Sequence, residues 1–163
     1  MIYKLIIGLG NAEKQYNNTY HNVGALAALR ASKINALKSA VILGPSGYMN
    51  HSGQVIKKEL KKHDAKPEEL LVIHDDSDLM QGTYKISTGR GAGGHKGVED
   101  IIHHLKTKEF TRLRIGIRPH EKTGKHHEKA SKFVLKKISK ENLQVIETVI
   151  EKALSEFIEI AKK

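Results

Sequence analysis

The 163-residue chain contains no cysteine, which excludes a disulfide framework, a thiolate nucleophile and any Cys-ligated zinc or iron–sulfur site. Proline is scarce, at 3 residues, and 14 glycines are too few for a collagen-like or low-complexity chain. Five tyrosines and three phenylalanines leave little material for a base-stacking platform. No apolar run approaches the roughly 18 residues of a membrane helix. Residues 1–10 read as a strand that enters the fold directly and not as a signal peptide. Acidic residues are also in deficit, with 18 Asp+Glu against 28 Lys+Arg and a formal net charge of +10. A single globular domain over 1–163, in the cytoplasm, with an anionic partner such as nucleic acid, is the expectation.

The apolar pattern alternates between two periods. Ile2–Leu9 and Leu70–His74 are continuous apolar runs of the kind that form strands buried on both faces. Ala40–Leu43 and Tyr84–Thr88 read as shorter strands. Arg112–Arg118 alternates, with Leu113, Ile115 and Ile117 on one face and Arg112, Arg114 and Arg118 on the other. Helices are predicted over Val23–Ile34 on Leu26, Leu29 and Ile34, over Gly53–Lys62 behind a Ser52 cap, and over Val98–Leu105. A last helix behind Ser139 carries a stripe of Leu143, Ile146, Val149/Ile150, Leu154, Phe157/Ile158 and Ala161. The expected fold is α/β, one three-layer α/β/α domain around a mixed, mostly parallel sheet.

Ligands of such sheets bind beyond the carboxyl ends of the strands, so the segments that follow the strands hold the candidates. These are Asn11 with His21 further on, Tyr48-Met49-Asn50, Asp75-Asp76-Ser77-Asp78, and the glycine-rich Gly89–Gly97. A histidine beside a carboxylate deprotonates water, and carboxamides donate hydrogen bonds to a carbonyl without adding a competing base. His21, Asp75, Asn11 and Asn50 fit that chemistry, against the blander reading of surface and loop residues. Asp75, Asp76 and Asp78 would suit a Mg²⁺ phosphoesterase, although Asp76 and Asp78 fit turns better. GLGN lacks the third glycine of a dinucleotide fingerprint, and Lys96-Gly97 breaks the phosphate-loop pattern. His103-His104, His120 and His126-His127 match no zinc spacing and read as solvated. Arg112, Arg114 and Arg118, with Lys122, Lys125, Lys129 and Lys132, form a candidate phosphate-binding rim or a plain solvated edge.

Taken together, KLIIGLGN (Lys4–Asn11), YHNVG (Tyr20–Gly24), YMNHSG (Tyr48–Gly53), LLVIHDDSDL (Leu70–Leu79), GAGGHKG (Gly91–Gly97) and FTRLRIGI (Phe110–Ile117) resemble the bacterial-type peptidyl-tRNA hydrolases in content and order. The resemblance implies hydrolysis of the ester between a peptide and the terminal ribose of tRNA. Water would be the co-substrate, and the enzyme would need no cofactor, metal or membrane and act as a monomer. It implies His21 as general base and Asp75 as its orienting partner. Asn11, Tyr16, Met49, Asn50, His95 and Lys96 would bind substrate, and Lys85 and Arg114 would bind tRNA. The segment after Arg118 is similar to a loop and basic helix that hold the tRNA.

The chain leaves the family pattern in three places. Asn-Pro-Gly after the first strand becomes Asn11-Ala12-Glu13, and the stretch between the first helix and YMN is short, so a peripheral hairpin is expected to be missing. The family's His-Asn in the glycine loop becomes His95-Lys96. An ammonium offers donors only, where an amide offers both donor and acceptor. Lys96 therefore has three places to go: onto Asp75, over the developing oxyanion, or outward. It also raises the alternative of a weakened relative that binds RNA without turnover.

Overall fold

The computed structural model describes residues 3–120 and 129–162. Five strands form one sheet: β1 (Leu5–Gly8), β2 (Val41–Leu43), β3 (Leu70–Met80), β4 (Tyr84–Thr88) and β5 (Thr111–Arg118), in the order β2-β1-β3-β5-β4. Every pairing is parallel except β4 with β5, as the mixed, mostly parallel expectation has it. Successive side chains of a strand point to opposite faces, and here both faces are covered. Ile6, Leu71, Ile73, Leu113, Ile115 and Ile117 pack under α1 (Val23–Ala31) and α5 (Lys140–Ala161). Leu5, Ile7, Leu70 and Val72 pack under α2 (Ser52–Lys62) and α3 (Lys96–Leu105). Double coverage is why β1 and the first half of β3 read as unbroken apolar runs.

The last helix buries Ile146, Val149, Ile150, Ala153, Leu154 and Phe157, and the Ser139 hydroxyl accepts the amide of Asn142, as its pattern predicts. Several local readings change. α1 is shorter than predicted and buries Val23, Gly24, Ala27, Ala28 and Ala31, while Leu29 is exposed. Small residues win because the helix lies directly on the sheet: a Cβ on Gly24 would collide with the carbonyls of Ile73 and Leu9. Ser52 does not cap α2; its hydroxyl donates to the carbonyl of Met49, and the Gly53 amide is taken instead by Asp100 Oδ2 of α3 at 2.7 Å. β3 does not stop at His74 but carries Asp75–Asp78 to Met80, with a register shift against β5 between Asp76 and Met80. There the carbonyl of Met80 lies where a side chain of Gly116 would be.

Another concerns Arg112, which is buried and so is no part of an exposed rim. Arg114 is half-buried, whereas Arg118, Lys129 and Lys132 are exposed; Lys122, Lys125 and His126-His127 lie outside the described residues, as does Ile2. His104 is not simply solvated, since its Nδ1 lies 3.2 Å from Asp100 Oδ1. His120 Nε2 donates to the Gln81 carbonyl at 3.1 Å. Between α1 and Tyr48 the chain forms a 3-10 turn (Asn35–Leu37) and β2, which is one edge of the sheet.

Candidate active site

Beyond the carboxyl ends of β1 and β3, a cleft of about 400 Å³ opens. Its floor and one wall come from the polar end of β3, Asp75–Asp78, and from His21; the opposite wall is the glycine loop through Lys96. Ala130, Ser131, Val134 and Leu135, on or just after α4 (Ala130–Phe133), complete it with a partly apolar side. The sequence gives little sign of this wall, because one turn of helix is too short for a periodic signal.

The loop that carries His21 is held by distant chain. The His21 amide donates to Val134 O at 2.8 Å, Tyr20 N to Lys136 O at 3.2 Å and Ile138 N to Asn18 O at 2.8 Å, around an antiparallel bridge between Thr19 and Lys137. Tyr20 stacks on Phe133 with ring centroids 4.4 Å apart and accepts a hydrogen bond from Asn142 Nδ2.

His21 Nδ1 lies 3.0 Å from both Oδ1 and Oδ2 of Asp75. An ionised carboxylate only accepts, so the proton sits on Nδ1 and the lone pair on Nε2. His95 Nε2 donates to Asp75 Oδ1 at 2.9 Å, while its Nδ1 accepts the amide of Val98 at 3.4 Å and caps α3. Asp75 is thus held between two imidazoles. Burial alone would raise its pKa, but the electrostatic pull of His95 beside it and the hydrogen bonds from both rings outweigh it and hold the carboxyl well below the usual range. Beneath it His74 is fully buried, and burial, with His95 adding to it, pushes its pKa well down, so this imidazole is neutral.

His21, Asp75 and His95 are also the group of described residues whose ligand atoms lie within 4.8 Å of one another, near enough to share a metal. Their protons argue for a different use. With the Val98 amide aimed at Nδ1 of His95, the ring's own proton belongs on Nε2, where a metal would have to displace it. The three carboxylates of the phosphoesterase reading do not converge. Asp76 accepts Arg114 Nε at 2.7 Å and the Asp78 amide at 2.9 Å, and Asp78 is exposed. Asp76 thus makes the local turn expected of it, inside the irregular end of a strand.

The remaining candidates divide. Lys96 borders the cleft, but its Nζ lies 3.0 Å from Glu99 Oε2 and its side chain is 74% exposed, so it goes outward and does not engage Asp75. Asn11 is buried behind the cleft; its Oδ1 accepts the Met49 amide at 2.8 Å, and its backbone exchanges two bonds with the Asn22 side chain. The orientation leaves Nδ2 as a donor with no acceptor among the described residues. Met49 is in the core, with its sulfur against the start of α3 at Gly97. Asn50 is exposed and Tyr16 half-buried, and neither lines the cleft. Glu13, one of the departures from the family pattern, accepts the Tyr48 hydroxyl and so raises the pKa of that phenol. Lys85 pairs directly with Arg114 across β4 and β5, so both lie on one face of the sheet.

A family model described as peptidyl-tRNA hydrolase matches residues 5–163. The peptidyl-tRNA hydrolase of Aquifex aeolicus is 38% identical over an alignment covering 94% of this chain and 88% of the relative. That of Persephonella marina is 37% identical over 90% and 85%. Among solved structures, the peptidyl-tRNA hydrolase of Acinetobacter baumannii is similar with a TM-score of 0.82 at 30% identity, covering 99% of this chain and 90% of that one.

Proposed function

The chain belongs to the peptidyl-tRNA hydrolase family, and on that premise we propose that it cleaves the ester of peptidyl-tRNA with His21 as the base that activates water. The observation that carries this reading is the His21–Asp75 pair at the floor of the cleft. His21 Nε2 takes a proton from water as the oxygen attacks the ester carbonyl carbon. Asp75 keeps the ring in the reactive tautomer and stabilises the imidazolium that forms. The tetrahedral oxyanion needs neutral donors. Asn11, its Oδ1 already held by the Met49 amide, offers Nδ2, and Asn50, next to Met49 in the chain, is the second amide of this reading although it lies outside the cleft lining. When the intermediate collapses, the carbon–oxygen bond to the ribose breaks and the leaving oxygen recovers the proton from His21. The products are a peptide carboxylate and free tRNA.

Tyr16, Met49, His95 and Lys96 belong to the substrate-binding side of this reading, with Met49 acting from the core. Lys85 and Arg114 are the tRNA-binding pair, supported by their cross-strand register and by the chain's net charge of +10. The reading includes a metal-independent, monomeric, single-domain enzyme of the cytoplasm, supported by a cysteine-free sequence and a substrate made at the ribosome. Release of tRNA from a purified peptidyl-tRNA, with and without EDTA, tests it. Turnover that survives EDTA and is lost in His21→Ala is the expected result; turnover abolished by EDTA overturns it.

A further inference from the structure

Arg112 sits inside the molecule with 3% of its surface exposed, in a place where a cation ordinarily has a carboxylate beside it. Among the described residues it forms no ion pair. Its Nη2 donates to the carbonyls of Arg90 at 3.1 Å and Gly91 at 2.8 Å. Its Nη1 lies 3.5 Å from His74 Nε2, and His74 Nδ1 donates to the backbone carbonyl of Asp75 at 2.6 Å. The His74 ring then meets the His95 ring edge-on, with centroids 4.7 Å apart. One buried guanidinium therefore reaches both sides of the cleft, the glycine loop directly and the Asp75 backbone through a neutral imidazole.

The loop has little else to hold it. Gly89, Gly93 and Gly94 all have positive φ, conformations glycine adopts freely and gives up at high entropic cost. Between Arg90 and Gly94, the described backbone anchors are the two bonds from Arg112 and the His95 amide on the Ala92 carbonyl. His95 emerges from that loop as the cap of α3 and grips Asp75. A shift of the loop is thus a shift of one of the two rings that position the Asp75 carboxylate.

The geometry points to Arg112 as a positioning residue for hydrolysis: it pins the glycine loop by its carbonyls and, with His74, fixes where His95 and Asp75 meet. This rests on the proposed role of the His21–Asp75 pair. It also separates Arg112 from Arg114 two residues along the same strand, whose guanidinium faces Asp76 and the half-exposed rim.

The test compares Arg112→Met, Arg112→Lys and His74→Phe with wild type. In Arg112→Met, kcat should fall roughly ten- to hundredfold, the scale on which small misplacements of a reacting geometry act. KM for peptidyl-tRNA and the salt dependence of tRNA binding should stay unchanged. The His95 amide should exchange with solvent faster, and the His95 imidazole resonances should shift. Arg112→Lys should recover part of kcat, because an ammonium still donates to carbonyls without the planar fork. His74→Phe keeps a ring against His95 but removes both nitrogens, and should lower kcat less. If Arg112→Met fails to fold, the other two variants carry the same readouts. An unchanged kcat beside a loosened loop overturns the proposal. So does a loss of tRNA affinity with a flatter salt slope, which would make Arg112 a phosphate ligand. Exchange at the His95 amide is read without turnover, so a failed base assignment at His21 leaves a distinguishable result.

Discussion

Lys96 and Glu99, one turn apart on α3, pair at 3.0 Å with the lysine side chain 74% exposed. Of the three places open to this ammonium, the structure takes the outward one, and Asp75 is left to His21 and His95. An exposed ion pair of this kind is worth about 0–1 kcal/mol, so the pair barely constrains Lys96. Lys96→Asn should therefore change stability by less than about 1 kcal/mol in urea denaturation. It should raise kcat/KM, because an amide at the cleft wall can both donate and accept. A tenfold fall in kcat/KM, about 1.4 kcal/mol, would show instead that the lysine takes part in turnover.

His21→Ala should lower kcat by roughly 10²–10⁴, the usual contribution of a general base, with tRNA binding near that of wild type. Asp75→Asn should also lower kcat, because an amide at this position can donate to Nδ1 and stabilise the wrong tautomer. Single-turnover hydrolysis with pre-bound substrate separates these losses from binding. A rate within twofold of wild type in either variant would remove that residue from the mechanism.

Affinity for tRNA should fall linearly in log–log plots against salt. Arg114→Ala or Lys85→Ala should each flatten the slope by about one phosphate contact, and should weaken different tRNAs alike. Fluorescence titrations at several ionic strengths read this directly. A slope unmoved by both changes would place the tRNA on another face.

His74 carries a pH signature of its own. Burial, reinforced by His95, depresses its folded-state pKa, while Asp75 pulls the other way and Arg112 adds to the depression. Below the ordinary histidine value of about 6.5, the unfolded chain binds a proton that the folded one refuses. Stability must therefore fall as pH is lowered, by up to about 1.4 kcal/mol per pH unit for this one group. Asp75 adds a loss of the same sign at lower pH, setting in as pH falls through the ordinary aspartate value of about 3.9 and continuing down to its depressed folded-state pKa. Denaturation curves between pH 7 and 5 should show the slope, and His74→Phe should flatten it.

Gly24→Ala should cost roughly 1–3 kcal/mol, the range for overpacking a close contact, because its Cβ would meet the carbonyls of Ile73 and Leu9. Activity should fall with it, since α1 begins two residues after His21. Wild-type stability in urea would mean that the helix can lift from the sheet without penalty.

The five strands and the stripe of α5 are legible in the sequence because they follow from burial on one or both faces, which apolar spacing records. The buried face of α1 is not, since alanine and glycine carry no periodic signal and Leu29 draws attention to the wrong side. The polar end of β3 is hidden for a similar reason. Asp76 and Asp78 read as turn residues, and only the pairing of Asp75, Asp76 and Met80 with β5 carries the strand past them. His21 and Asp75 can be singled out by the chemistry of their side chains, whereas their 3.0 Å separation depends on the packing of three elements. Arg112 is the least legible of all. Arginine is almost never fully buried, and nothing in an alternating strand distinguishes it from Arg114.

The bonds from Tyr20 and His21 to Lys136 and Val134 also set an order of events during synthesis. All five strands have been made once Arg118 is added, so the sheet can assemble on a chain whose His21 loop still lacks its partner. That partner arrives more than a hundred residues after the loop it secures, and contacts of such separation form slowly. A nascent chain halted before residue 134 would lack this anchor as well as α5, and would leave its base on an untethered loop. Hydrolytic competence is in this sense a late property of the molecule, acquired only after all five strands have been translated.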